Sequence, residues 1–180
     1  MARVQGHETI IGGRGFALGD DGSGSHIGLD AVRSAMRAYD GLAPASALTD
    51  DILAEFGGDP VAMMNWARQA KPGDFGAFAP RVFERAGAHD PVAREIAGSA
   101  ARAIRALTHG VIALAAERVA LVGGVGEALR PYLEPDIAAR LKRKPRNEGS
   151  LRGARIRRRT TARWLRARCR GRVDPCAHSL

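Results

Sequence analysis

The 180 residues suffice for one domain with a real core and are a tight fit for two. The net charge of +9 is uneven: residues 1–141 balance at −3, whereas residues 142–180 hold 14 of the 28 Lys and Arg against only Glu148 and Asp174, a balance of +12. No run approaches the roughly 18 apolar residues of a membrane-spanning helix, Met1–Glu8 has no apolar export core, and Cys169 and Cys176 make neither a disulfide framework nor a CxxC pair, so a cytoplasmic address is expected.

Along the chain, Glu8–Ile11 reads as the end of a short strand. It runs into Gly12–Gly24, too rich in glycine for regular structure. A helix follows, with Leu29, Val32, Met36 and Tyr39 as its apolar stripe, Ser25 as N-cap and Gly41 just past its end. Thr49 caps a short helix that Gly57-Gly58 stops at Phe56. Asp59-Pro60 opens another, through about Ala70, because a proline at the first helical position gives up an amide that would be unpaired anyway. Lys71-Pro72-Gly73 breaks that helix. Asp74 caps the next, which Pro80 kinks or interrupts. Asp90-Pro91 starts the longest helix, to about Ala116, with Ile96, Ala100, Ile104, Leu107, Val111 and Leu114 as its stripe. Arg118–Val122 reads as a buried strand ending in Gly123-Gly124-Val125-Gly126, with short helices expected at Glu127–Leu133 and Asp136–Leu141. This order predicts an α/β chain dominated by helices. From Lys142 the arginine-rich tail has no sustained apolar face, and disorder or a frayed helix is expected.

Two segments carry candidate chemistry. In Gly12–Gly24 the glycines admit a close ligand and positive φ, and Asp20 offers acceptors for hydroxyl groups. The same residues also suit a turn feeding a helix, with Asp20 and Asp21 favoured by the helix dipole, and both readings stand on the residues alone. Gly123-Gly124-Val125-Gly126 leaves the C-terminal end of a strand, where α/β folds place ligands; a plain strand-to-helix turn fits equally. It is not a GxGxxG fingerprint, since Leu129 holds the last glycine position, and no GxxxxGK[ST] loop occurs. His7, His26, His89, His109 and His178 show no metal-ligand spacing, and HExxH and GxSxG are absent. Met63, Met64 and Trp66 read as core or interface.

Taken together, the pattern GGxGxxLGDxGSGxxIGxxA from Gly12 to Ala31 resembles the signature of the BadF/BadG/BcrA/BcrD ATPase family, which includes N-acetylglucosamine and glucosamine kinases of the actin-like ATPase superfamily. The second glycine motif resembles that superfamily's adenosine motif, and the resemblance spans about residues 9–141. It implies the C-terminal lobe of an actin-like (ribonuclease H-like) fold with an incomplete sheet and a helical insertion at 42–90. It places Gly13, Asp20 and Ser23 on an amino sugar, places Gly123, Gly124 and Gly126 on the adenosine of ATP, and implies Mg²⁺. Arg14 departs from the family, where an aromatic residue is common.

The family's DGGGTKT-like and GTGS-like phosphate loops and its catalytic aspartate have no match in this sequence. The expectation is a chain of 1–141 in domain terms, with no catalytic and no metal-binding residue and without kinase turnover alone. Residues 142–180 stand where the family continues with an apolar segment, and the switch resembles a reading-frame change. Alternatives are nucleic-acid binding through the basic tail, with polyanions as non-specific partners, and a BadF-type activase component. A homodimer is a further partner expectation.

Overall fold

The computed structural model describes residues 2–4, 7–9, 11–114, 119–121 and 124–143, all within the compact unit Met1–Lys144. Two short strands open it, β1 (Ala2–Val4) and β2 (His7–Thr9), paired antiparallel with Ala2 opposite Thr9. The strand foreseen at Glu8–Ile11 therefore lies slightly earlier, and Ile11 is outside it.

Helix α1 (Gly24–Tyr39) starts at Ser23, whose hydroxyl accepts from the His26 amide, so the N-cap is Ser23 and not Ser25. It ends where Gly41, at φ 70°, lets the Leu42 amide reach the Arg37 carbonyl at 2.8 Å. Helix α2 (Ala47–Ala54) is capped by Ser46 rather than Thr49, because Thr49 lies at the third helical position and donates and accepts within a capping box. Helix α3 (Pro60–Ala67) has Asp59 as its cap, accepting from the Val61 amide at 2.8 Å, and ends before Ala70.

The proline-rich stretch departs most from expectation. Lys71-Pro72-Gly73 does not simply break structure: Pro72 opens the one-turn helix α4 (Pro72–Gly76), and Asp74 accepts from the Lys71 amide at that helix's own start. Helix α5 (Ala79–Gly87) follows with Pro80 in its first turn, so the interruption near Pro80 falls between two helices. Helix α6 (Pro91–Ala113) begins at its Asp-Pro pair as expected and ends three residues short of Ala116.

Strand β3 (Val119–Leu121) pairs in parallel with β4 (Leu141–Arg143), Val119 opposite Leu141. Between them lie α7 (Gly124–Leu129), a 3-10 turn (Arg130–Tyr132) and α8 (Pro135–Arg140). Helix α7 begins inside the glycine motif, three residues before the expected Glu127. Leu141 is strand rather than helix, and Lys142 and Arg143, assigned above to the tail, belong to that strand. The rest of the tail lies outside the described residues, as do Gly123, Cys169 and Cys176.

The core sits among α1, α2, α4, α5 and α6. The buried face of α1 is Ile27, Gly28, Ala31, Val32 and Ala35, while Leu29 and Met36 are half-buried and Tyr39 is 52% exposed. Of the expected stripe, Val32 is buried and Leu29 and Met36 pack against the core from its edge, whereas Tyr39 faces solvent. Small residues occupy the buried face because neighbouring helices approach closely there. A Cβ on Gly28 would lie 1.8 Å from the Phe75 carbonyl oxygen. Helix α6 likewise buries Ala93, Ala97, Ala100 and Ala101 beside Ile96, while Leu114 is exposed.

Two polar ties fix the helices against each other. The Asp90 carboxylate accepts from the Ala93 amide at 2.9 Å, capping α6, and from the Leu48 amide at 3.0 Å, capping α2. Burial pushes this carboxyl up, but hydrogen bonds from the Ala93 and Leu48 amides, the Ser46 side chain and the Val92 amide together hold Asp90 below the usual carboxylate range. Arg85 grips Asp51 through two bonds of 2.6 and 2.8 Å, and Arg81 pairs with Glu55 at 2.7 Å, joining α5 to α2.

Gly28→Ala should cost about 3 kcal/mol, through overpacking against backbone that cannot give way, read as a lowered urea midpoint. Asp90→Ala should cost about 2 kcal/mol, from a lost cap and a buried unpaired Leu48 amide. Because the native Asp90 carboxyl titrates low, its contribution is complete above the unfolded value of about 3.9 and disappears as pH falls through the native one. Stability of Asp90→Ala should therefore fall less between pH about 5 and about 2 than that of the parent, measured by urea titration at each pH.

Candidate functional site

The loop before α1 has the shape its glycines impose. Gly12, Gly13, Gly15 and Gly22 all take positive φ, between 61° and 95°, where side-chain-bearing residues are strained. Residues 14–19 fold into a small antiparallel turn: the Arg14 amide donates to the Gly19 carbonyl, and the Leu18 and Gly19 amides donate to the Gly15 carbonyl, each at 3.0 Å. Leu18 projects from its tip, 85% exposed. Gly22 returns the chain under α6, where a Cβ would stand 3.1 Å from the Ala100 carbonyl oxygen and from Ile104.

A chain of polar contacts then ties loop to helix. The Ser23 hydroxyl donates to Asp20 Oδ2 at 2.7 Å while accepting from the His26 amide at 3.1 Å. His26 Nδ1 lies 3.2 Å from Asp21 Oδ1, and its Nε2 lies 3.1 Å from the Phe16 carbonyl oxygen. The Phe16 ring meets the His26 ring edge-on at 5.5 Å and stacks on Phe75 of α4 at 5.7 Å. Phe75 continues to Trp66, 5.0 Å away, and Trp66 to Phe56 and Phe78. An aromatic column thus runs from the loop into α2–α5.

Beside the loop lies a groove of about 360 Å³ between α1 and α6, lined by Asp21, His26, Asp30, Ser99 and Arg102 among others. Burial raises the Asp30 carboxyl above its usual range, against the lowering effects of Arg33 and then His26.

Of the residues expected on a sugar, Asp20 and Ser23 are brought together and hydrogen-bonded, and Gly13 lies at the loop's exposed entrance. Among those expected on adenosine, Gly124 is exposed at the start of α7, with nothing within 4 Å of where its Cβ would be, and Gly126 is half-buried in the same helix. The two motifs meet: a Cβ on Gly24 would lie 3.2 Å from Val125 Cγ2. Phe16, His26 and Asp30 were not singled out from the sequence as site residues. The one available signal for His26 was its place three residues after Ser23, inside the glycine signature. Among the described residues no group of three or more His, Cys, Asp or Glu could hold a metal ion. His109 is exposed and contacts Arg105 at 3.5 Å. No described helix is long and apolar enough to cross a membrane.

Over 73% of its length the chain matches the crystal structure of a candidate N-acetylglucosamine kinase from Chromobacterium violaceum, with a TM-score of 0.68, 36% identity and 46% of that chain covered. It is 32% identical over 132 residues to glucosamine kinase GspK of Vibrio cholerae, covering 73% of this chain and 45% of that protein. It is 34% identical over 105 residues to N-acetyl-D-glucosamine kinase of Dictyostelium discoideum, covering 56% and 33%. The chain belongs to the BadF/BadG/BcrA/BcrD ATPase family, whose pattern matches residues 2–150. It spans about half the length of the Vibrio and Chromobacterium relatives.

Ser23→Ala removes the α1 cap and the Asp20 partner together. It should cost about 1 kcal/mol by chemical denaturation, and Ser23→Thr, which keeps the hydroxyl, should cost less.

Proposed function

We propose that residues 1–141 form the C-terminal lobe of an actin-like sugar kinase and supply the amino-sugar and adenosine sides of an ATP-dependent phosphoryl transfer to glucosamine or N-acetylglucosamine. The carrying observation is the close approach of the two glycine motifs at Gly24 and Val125, which supports reading them as parts of one site. The names of the relatives support the same substrate class.

In this reading Ser23 fixes Asp20 through Oδ2 and leaves Oδ1 to accept from a sugar hydroxyl. Gly13 admits the sugar ring, since no atom of the described residues lies within 4 Å of its Cβ position. Gly124 has the same openness among the described residues and suits a ligand laid against backbone; Gly126, and Gly123 outside the described residues, are assigned to adenosine by the family resemblance alone. Bound ATP supplies the phosphoryl group. No described residue is assigned to Mg²⁺, which would be held largely by the phosphates of ATP and water. The resemblance places Asp20 on the sugar and assigns neither Asp20 nor Asp21 as the base for the attacking hydroxyl. With no phosphate loop in the sequence, binding without turnover is the proposed behaviour of these residues alone.

Calorimetry should detect binding of N-acetylglucosamine or glucosamine, weakened roughly ten-fold or more by Asp20→Ala through loss of a charge-assisted hydrogen bond. Equal affinity in the variant would remove Asp20 from the site. A coupled assay with ATP should show no turnover above background, and robust turnover would overturn the binding-only reading.

A further inference from the structure

The groove between α1 and α6 has two walls of different chemistry. One wall carries Asp21, at the end of the glycine loop, and Asp30 of α1. The other carries Ser99 and Arg102 of α6. The floor between them is apolar, with Ile27 1% and Ala100 5% exposed. The acidic and basic walls do not bridge each other: among the described residues no ion pair or hydrogen bond joins Arg102 to either carboxylate. The charges that act on Asp30 are Arg33, His26 and Asp21. The Arg102 guanidinium lies back along its own helix, with Nη1 3.6 Å from where a Cβ on Gly98 would stand. A space of about 360 Å³ thus keeps an acid and a base apart over an apolar floor. We infer that this groove is a binding site for a small zwitterion, a free amino acid or dipeptide, with its ammonium on Asp30 and Asp21 and its carboxylate on Arg102 and Ser99.

Each simpler ligand leaves one wall unanswered. A lone cation satisfies the carboxylates and meets Arg102. A lone anion such as phosphate suits Arg102 and Ser99 and meets Asp21 and Asp30. A neutral polyol can hydrogen-bond to both walls but brings no charge to the half-buried Asp30, where Arg33 on the same helix, 3.7 Å away, does not offset the cost of burial. An ammonium group supplies that charge as a compact point, and the planar guanidinium fork matches a carboxylate with two parallel bonds. The floor of Ile27 and Ala100 then receives the carbon skeleton, the usual division of labour in a small-molecule site. The groove shares Asp21 and Gly22 with the glycine loop, but neither Asp20 nor Gly13 lines it, so this site does not rest on the sugar reading.

The test uses the 180-residue chain and three zwitterions that set ammonium and carboxylate at different separations: alanine, 4-aminobutyrate and alanyl-alanine. Proton–nitrogen spectra would follow the amides of Gly22, Ala100 and Ala103, which line the groove, and calorimetry the affinity. At least one of the three should shift these amides below about 10 mM, the range of weak small-ligand binding. Acetylating its amine or amidating its carboxylate should each weaken binding roughly ten-fold or more, through loss of a charge-assisted contact. Asp30→Asn and Arg102→Gln should each weaken it by a similar factor while the urea midpoint stays near that of the parent. Arg102→Lys, which keeps the charge but not the fork, should lose less than Arg102→Gln. N-acetylglucosamine should not compete. No amide shift with any of the three, blocked forms that bind as well as the parent zwitterion, or unchanged affinity in either charge-removing variant would overturn the inference. Displacement of the zwitterion from the groove amides by N-acetylglucosamine would also overturn it, by giving the groove to the sugar. Zwitterion binding in a chain that binds no sugar would uphold this site and defeat the sugar reading.

Discussion

The structure depends on one missing side chain. At Gly28 the backbone of α1 comes so close to the Phe75 carbonyl that a single added carbon would overlap it, at 1.8 Å. Because that contact is made, α4 lies flat against α1 although it is only one turn long. Phe75 is then buried with its ring beneath Phe16, and Phe16 belongs to the glycine loop. The close approach of two helices thus becomes the floor of a loop. A Gly inside a helix costs about 1 kcal/mol of intrinsic propensity, and here that cost is offset by a contact that no other residue permits.

The loop itself is held by different means at its two ends. At the entrance, glycines with positive φ and short backbone bonds make the turn at residues 14–19. At the exit, side chains do the holding, and the atoms that cap α1 are the atoms that orient Asp20. Ser23 spends its oxygen as acceptor on the helix and its proton on the carboxylate. The geometry offered to a hydroxyl-bearing ligand is therefore coupled to the first turn of α1. A loop of this composition would otherwise be free to sample many shapes, with a large entropic cost to ordering it on binding.

Much of this could be read from residues, and the exceptions share a cause. Asp59-Pro60 and Asp90-Pro91 declared helix starts because cap and proline act locally, within one turn. Gly41 and Gly57 declared helix ends for the same reason. The large apolar residues of α1 mark only part of its buried face: Val32 lies in it, while close packing also selects Gly28, Ala31 and Ala35, which carry almost no hydrophobic signal. Thr49 and Ser25 looked like caps, but the residues three and two positions earlier reach the free amides, a distinction of register that composition does not contain. The glycine signature marked the loop and its aspartate. It did not reveal that His26 lies against the Phe16 carbonyl or that Gly24 meets Val125, since both depend on how the chain packs.

That last contact assigns a role to the helices between the motifs. Gly24 stands against Val125 of α7 on one side, and its Cβ position lies 3.8 Å from Ala79 at the start of α5 on the other. Gly76, closing α4, approaches the Ser25 amide and hydroxyl to within 3.6 Å of its own Cβ position. The segment read from sequence as a helical insertion at 42–90 therefore reaches the first turn of α1 from below, through Phe75, Gly76 and Ala79. Its outer parts are anchored by Asp90, which caps α6 and binds α2, and by the Arg85–Asp51 pair. If the insertion only decorated the surface, its removal would leave the loop's surroundings unchanged. Instead it supplies the Phe75 ring against which Phe16 rests and the wall against which Gly24 is set. The spacing between the two glycine motifs is thus a property of the whole helical unit, and neither motif carries it alone.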